Sequence, residues 1–374
     1  MTEPVKASWC EIYPDRIANN LKIALDLLPD GTGFCAVLKA DAYGHGIEAV
    51  VSVVVAAGVD HIAITSNAEA RAVRAAGFTG NLLRLRSATP VEIRDALQDS
   101  VQEQVSSPEA AAVFSGLAQE GHSNPGLHLA LNADGMSRDG LELSTSEGQQ
   151  ACLHILDLVG TDIRGICTHF PSNTPEDLRH SDQRFQADVR WVIERSGLKR
   201  SDVLVHAGSS LTLGSRQAVT TDMYRCGADL YGIINRELGF RPTIELKAHI
   251  TSIGTYPAGS TIGYDRAATL DQPRRLANVS LGYANGFGRD SFGRGEILIR
   301  GQKVPILGKI SMNTIIADVT DLPEVQSGDQ AVVFGQQGQG CIDIVRSEHQ
   351  FRTIVADLFV DWGGRSPRVY LQGD

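Results

Sequence analysis

The first two thirds of the chain alternate short apolar runs with amphipathic stretches. The apolar runs are FCAVLKA near 34, HIAITS at 61, NLLRLRS at 81, VQEQVS at 101, LHLALNA at 127, IRGICTHF at 163, VLVHAGS at 203 and MYRCGADLYGI at 223. Helical spacing lies between them, in IEAVVSVVVAAG, NAEARAVRAAG and SDQRFQADVRWVIERSG, and these end in Gly, a common helix stop. Strands alternating with helices read as parallel βα units. Eight such runs within about 230 residues predict a (β/α)8 TIM-type barrel, with VQEQVS the most polar of its strands.

Beyond residue 240 the helical rhythm nearly vanishes until about 346. IELKAHITSIGTYPAGSTIGYD, RRLANVSLGYANGFGRD, EILIRGQKVPILGKISMNTIIADVT and DQAVVFG read as strands joined by Gly-rich turns. The sequence therefore divides into a barrel at 1–240 and a mostly β domain at 241–374, with residues 1–10 candidates to pair with the later domain.

Composition narrows the function. The 374 residues are 42% hydrophobic and 21% charged, enough apolar material for a packed core. A formal net charge of -10 argues against nucleic acid or an anionic membrane as partner. Six cysteines lack CxxC spacing, so no metal site is expected and buried thiols are the plainer reading. No apolar run is long enough to cross a bilayer. MTEPVKASWCEIYPDR contains no apolar signal region, which predicts a cytoplasmic protein, or a periplasmic one if a leader has been removed.

The run FCAVLKADAYGHG sets Lys39 at the carboxyl end of the first barrel strand, where barrel chemistry gathers. Partial burial there lowers a lysine pKa and suits it to Schiff-base chemistry. A lone lysine ending a strand is more often a solvated charge. The whole string AVLKADAYGHG, however, resembles the cofactor motif of the alanine racemase family, the fold-type III enzymes that use pyridoxal 5'-phosphate (PLP). The resemblance implies that Lys39 carries PLP covalently and that Tyr43 contacts its phosphate. Further strings extend it along nearly the whole chain. GMSRDG implies Arg138 near the substrate carboxylate, and THF implies His169 beside the pyridine ring. HAGSS implies Ser210 at the phosphate. YRCGADLYG implies Arg225 at the ring nitrogen and the Gly227 and Ala228 amides at the phosphate.

Guanidinium stays charged and offers only donors, so Arg225 implies a ring nitrogen without a proton, unlike the carboxylate partner of aminotransferase-like sites. That discourages transamination and leaves racemisation, which needs acid/base groups on both faces of the α carbon. Lys39 serves one face. GYANGFGR resembles the family string whose tyrosine serves the other, which is Tyr283 here. In the family that tyrosine reaches the lysine's site from the second subunit, so the resemblance implies a homodimer. Read alone, Tyr283 is a strand tyrosine beside a hairpin turn.

Several departures bear on the substrate. Asn132 stands where many alanine racemases have a carbamylated lysine, so Arg138 needs another partner, with a chloride ion as one candidate. Met312 is followed by Asn313 in place of aspartate. Ala356 falls where the family has a pocket tyrosine, with Phe359 one helical turn away. The emptied pocket leaves room for a longer side chain, and LHLALNADGMSR, YPAGSTIGYD, RLANVSLGY and GKISMNTIIADVTDLP resemble the broad-specificity amino-acid racemases, which implies substrates such as lysine, arginine and alanine, with the Met312 backbone at the entrance. The alternatives at this point are an alanine racemase proper, a decarboxylase of the same fold type, which Arg225 counts against, and a non-catalytic PLP carrier or regulatory protein.

Overall fold

The structure is a computed structural model, and it describes residues 5–372. Its internal contacts divide the chain into two compact units. One comprises Ile17–Ala42 and Ile47–Arg241. The other comprises the residues up to Arg16, the short piece Tyr43–Gly46 and the chain from Pro242.

Strand β1 (Ser8–Ile12) belongs to the second unit. The first unit is built on β2 (Gly33–Val37), β3 (His61–Ile64), β4 (Asn81–Ser87), β5 (Val101–Val105), β6 (Leu127–Ala130), β7 (Ile163–Cys167), β8 (Leu204–His206), β9 (Gly208–Ser209) and β10 (Met223–Cys226). All pair in parallel, in the order β8-β7-β6-β5-β4-β3-β2-β10-β9. β8 and β9 are one run interrupted at Ala207. Its first part pairs with β7 and its second with β10, so the sheet closes as eight strands. This is the expected TIM-type barrel, and the polar VQEQVS run is its fourth strand.

The helices start where their caps dictate. Ser66, Thr89, Ser107, Thr145 and Thr174 each accept the N3 amide of the helix that follows. Period-two alternation separates the strand faces. Val105, Leu127, Leu129, Ile166 and Val205 pack outward with Phe114, Ile155 and Phe185 of the surrounding helices. Gln102, Gln104, His128, Gly165, Cys167 and His206 therefore point into the barrel. Such interiors are ordinarily filled with branched apolar side chains, and this one carries a polar layer.

Immediately after β2 the main chain takes an unusual course. Ala40, Asp41, Ala42 and Tyr43 all have positive φ (53°, 52°, 56° and 53°), a left-handed turn built without glycine. Each such residue costs roughly 1–2 kcal/mol, so the surroundings must hold it. Glu69 Oε1 accepts the Ala40 amide at 2.7 Å, Leu38 carbonyl accepts the Ala42 amide at 2.9 Å, and Asp41 Oδ1 accepts the Ile47 amide at 2.9 Å.

The second unit is mostly β. Its strands after β1 are β11 (Ile244–Tyr256), β12 (Thr261–Ile262), β13 (Ala268–Thr269), β14 (Arg274–Val279), β15 (Glu296–Ile299), β16 (Gln302–Leu307), β17 (Ile315–Asp318), β18 (Gln330–Gln337), β19 (Gly340–Ile342) and β20 (Arg368–Tyr370). They form a sheet of order β19-β18-β15-β16-β17-β14-β11-β1-β20, with β18 also pairing β11, and a small β12–β13 ribbon. β1 thus lies between the long β11 and the final strand β20. Two helices, Ile344–Phe351 and Val355–Arg365, pack on the sheet: Phe359 and Trp362 lie against Phe334, and Phe351 against Trp362. No helix among the described residues is long and apolar enough to cross a membrane.

Candidate active site

At the carboxyl ends of the barrel strands, cationic and basic groups converge. Lys39 follows β2, and its pKa is held below the ordinary lysine value, first by loss of solvent and then by the Arg138 guanidinium, while Glu69 opposes. The His169 pKa is also depressed, by desolvation and then by Arg225, Arg138 and Lys39. His169 keeps an open edge to solvent, so screening moderates these charge effects. Lys39, Arg138 and Arg225 therefore all lie within electrostatic reach of His169, and Lys39 within reach of Arg138. Such a grouping without a matching set of carboxylates is suited to an anionic ligand.

Arg225, on β10, is buried at 7% exposure. Its Nη2 donates to the Thr168 carbonyl at 2.8 Å and approaches the Ala207 carbonyl and His169 Nδ1 at 3.5 Å. Its Nη1 donates to His206 Nδ1 at 2.9 Å. No carboxylate pairs with it among the described residues. Nearby, Ser210 opens a short helix after β9, and its Oγ accepts the Gly227 amide at 3.1 Å and the Asp229 amide at 3.4 Å. Two incoming donors leave the Ser210 hydroxyl hydrogen to be given elsewhere. This knot of Ser210, Gly227 and Asp229 fits a phosphate cradle, and the Lys39–Arg225 arrangement fits the rest of an aldehyde cofactor of the PLP kind.

The loop of Arg138 is braced from below. Asp139 accepts the Ser87 amide at 2.8 Å, the Ser87 hydroxyl at 2.6 Å and the Ser106 hydroxyl at 3.1 Å, fastening the loop to the ends of β4 and β5. Asn132 Oδ1 accepts the Ser137 amide at 2.9 Å, and its Nδ2 donates to Ser137 Oγ and Glu142 Oε2. Arg138 itself is exposed and makes no ion pair among the described residues.

Three candidate residues lie in the second unit. Tyr43 closes the left-handed turn, and its carbonyl accepts His45 Nδ1–H at 3.1 Å. His45 in turn meets the Thr243 hydroxyl at 2.8 Å. Tyr283 begins a single turn after β14, and its amide donates to the Ser311 carbonyl at 3.1 Å. The neighbouring Ala284 amide donates to the Met312 carbonyl at 2.9 Å, so the Tyr283 and Met312 loops are tied main chain to main chain. Gly282 permits this approach, since any Cβ there would collide with the Met312 carbonyl carbon (2.6 Å). The Arg289 guanidinium stands 5.9 Å over the Tyr283 ring, and Arg365 donates to the Tyr283 carbonyl at 3.1 Å.

Sequence reasoning passed over His206, His128, Glu69 and Asp139. His206 sat inside the quoted HAGSS segment and Asp139 inside GMSRDG, but nothing in either string tells which neighbouring strand they engage.

Comparison with known proteins agrees with this arrangement. Residues 12–235 match the family model for the alanine racemase N-terminal domain, and residues 243–370 match that for its C-terminal domain. A broad specificity amino-acid racemase of Aeromonas hydrophila is 40% identical over 363 residues, covering 96% of this chain and 89% of that one. The alanine racemase of Clostridium difficile 630 superposes with a TM-score of 0.88 at 25% identity, covering 99% and 97% of the two chains. Alanine racemase from Bartonella henselae, solved with covalently bound pyridoxal phosphate, superposes with a TM-score of 0.83 at 23% identity over 98% and 100%. With both halves matched and the identity sustained from end to end, the chain belongs to the alanine racemase family.

Proposed function

We propose that this protein is a PLP-dependent racemase of broad specificity, interconverting the L and D forms of amino acids such as lysine, arginine and alanine. The observation that carries the reading is the convergence of Lys39, Arg138, His169 and Arg225 at the carboxyl mouth of the barrel. The Aeromonas relative supports the broad range, and the Bartonella protein's bound cofactor supports PLP.

PLP, when bound, supplies an electron-withdrawing ring that acidifies the α hydrogen of an attached amino acid. Lys39 would hold it covalently at rest, and once the substrate's amine displaced the lysine, the released Nζ would exchange the α proton on one face. Its depressed pKa raises the neutral fraction available as base. Tyr283, contributed by the second subunit of a homodimer, exchanges the proton through its hydroxyl on the other face. Arg225 would hold the ring nitrogen by donating to it, and His169 would lie beside the ring. Ser210, Tyr43 and the Gly227 and Ala228 amides hold the phosphate. Arg138 would bind the substrate carboxylate, with the Met312 backbone at the entrance; a chloride counter-ion near Asn132 would have to displace the Ser137 or Glu142 contact of that amide. Ala356, small and half-buried on the helix Val355–Arg365, leaves room for a longer substrate side chain.

The decisive experiment is the purified protein assayed against a panel of L-amino acids by chiral chromatography. Racemisation of several substrates, basic ones included, is expected, and turnover of alanine alone overturns the broad range. Tyr283→Phe should abolish racemisation and keep PLP, seen as Schiff-base absorbance near about 420 nm that Lys39→Ala removes. Unchanged turnover in Tyr283→Phe would take that residue out of the mechanism. Bound cofactor without α-proton exchange in any amino acid would make the protein a PLP carrier. Ala356→Tyr should narrow the range toward alanine, by about 10- to 100-fold in kcat/KM for lysine relative to alanine; equal losses on both would refute the pocket assignment.

A further inference from the structure

The polar layer inside the barrel has a direction. Arg225 can only donate, so its Nη1 contact with His206 Nδ1 at 2.9 Å requires a lone pair on that nitrogen and places the His206 proton on Nε2. His206 Nε2–H then donates to His128 Nδ1 at 2.8 Å. The His128 proton is thereby fixed on Nε2, which donates to Gln102 Oε1 at 2.9 Å. Gln102 Nε2 continues in the same sense to Asn81 Oδ1 at 3.0 Å. Four successive links point away from the guanidinium, through groups on β10, β8, β6, β5 and β4.

A second observation is independent of these bonds. His128 on β6 reaches His206 on β8 by crossing β7, and the residue it crosses is Gly165. A Cβ at Gly165 would overlap the His128 ring, lying 2.7 Å from Cε1 and nearer still to Nδ1. The barrel wall is therefore vacant where the chain passes, and the two imidazoles meet edge to face with centroids 4.9 Å apart. Both rings are buried, at 2% and 0% exposure.

We propose that His206, His128 and Gln102 are positioning residues for Arg225, forming a one-way hydrogen-bond chain that holds a lone pair of His206 toward the guanidinium. Every bond dipole in the chain turns its negative end to Arg225, which has no carboxylate to balance it, and linked bonds strengthen one another. Cutting the chain frees His206 to move its proton to Nδ1. Two donors then face each other and the guanidinium is pushed off its site. Burial, together with the neighbouring Arg225 and His61, keeps both rings neutral, as the chain requires.

The inference rests on the reading that Arg225 faces PLP, and the test separates the two. Nitrogen NMR of the holoenzyme and of the cofactor-free protein, labelled at histidine, reports tautomers directly. Both rings should stay neutral and Nε2-protonated from about pH 6 to 9, with or without PLP. An Nδ1–H tautomer or a charged ring at either position overturns the chain. His128→Phe should erase the His206 signature and weaken PLP binding about tenfold, the scale of one hydrogen bond to a charged group. His128→Gln, which keeps an acceptor and a donor, should restore the affinity. Equal loss of affinity in both variants with an unmoved His206 signal would reduce His128 to packing and sink the proposal. Intact tautomers in a protein that never takes up PLP would instead refute the functional reading.

Discussion

Asp229 is fully buried, yet only one of its oxygens is satisfied. Oδ1 accepts Asn235 Nδ2–H at 2.8 Å, whereas Oδ2 finds no hydrogen-bond partner among the described residues. Burial raises its pKa from 3.8 to about 7, against the pull of Asn235 and Ser210. A raised acid stabilises the fold fully below the unfolded value and loses that contribution as pH climbs through the folded one. Asp229→Asn keeps the acceptor and removes the titration. It should match the parent in denaturant at pH about 4 and exceed it by roughly 2–4 kcal/mol at pH about 8. Parallel stability curves would place the carboxyl in a wetter setting. The sequence offered no hint of this residue's state, because its neighbours Asn235 and Ser210 arrive through separate turns of chain.

The left-handed turn after β2 is a local conflict between sequence and conformation. Ala40 is exposed with φ 53°, so Ala40→Gly removes steric strain without removing buried surface. The variant should melt no lower than the parent and gain up to about 1 kcal/mol, although glycine is ordinarily a loss within a regular element. A lowered melting temperature would mean that Glu69 and Asp41 already hold the turn without strain. Elements of this chain were readable where a repeating period or a string carried them. The eight barrel strands followed from alternation with helices, and the string AVLKADAYGHG set Lys39 directly after the first of them. The left-handed turn was not readable, since Ala-Asp-Ala-Tyr states no preference for positive φ. Nor was the His206–His128 contact. The pattern LHLALNA does put His128 on the inward face, but only the folded ring reveals that Gly165 lets it cross to another strand.

At the scale of the molecule, His128 and His206 govern behaviour in acid. Burial lowers the His128 pKa from 6.5 to about 3, and that of His206 falls well below 6.5. Unfolded, both rings take up protons as pH drops below 6.5; folded, they do not, so the unfolded state binds more protons and stability declines. The loss between pH 6.5 and 5 should reach roughly 3–4 kcal/mol, read as a falling urea midpoint and as proton uptake close to two per unfolding event. A midpoint flat over this range would show the rings charged or solvated.

The interrupted run β8–β9 has an outcome for the cation at the centre of the site. In an unbroken parallel ladder each main-chain oxygen is committed to the adjacent strand. The break at Ala207 withdraws that residue from the ladder: its amide turns to the Thr221 hydroxyl, and its carbonyl is released toward the Arg225 guanidinium. A flawless ring would have had no such oxygen to spare, so the seam in the wall adds a second, more distant main-chain oxygen to the Thr168 carbonyl that already faces the buried positive charge.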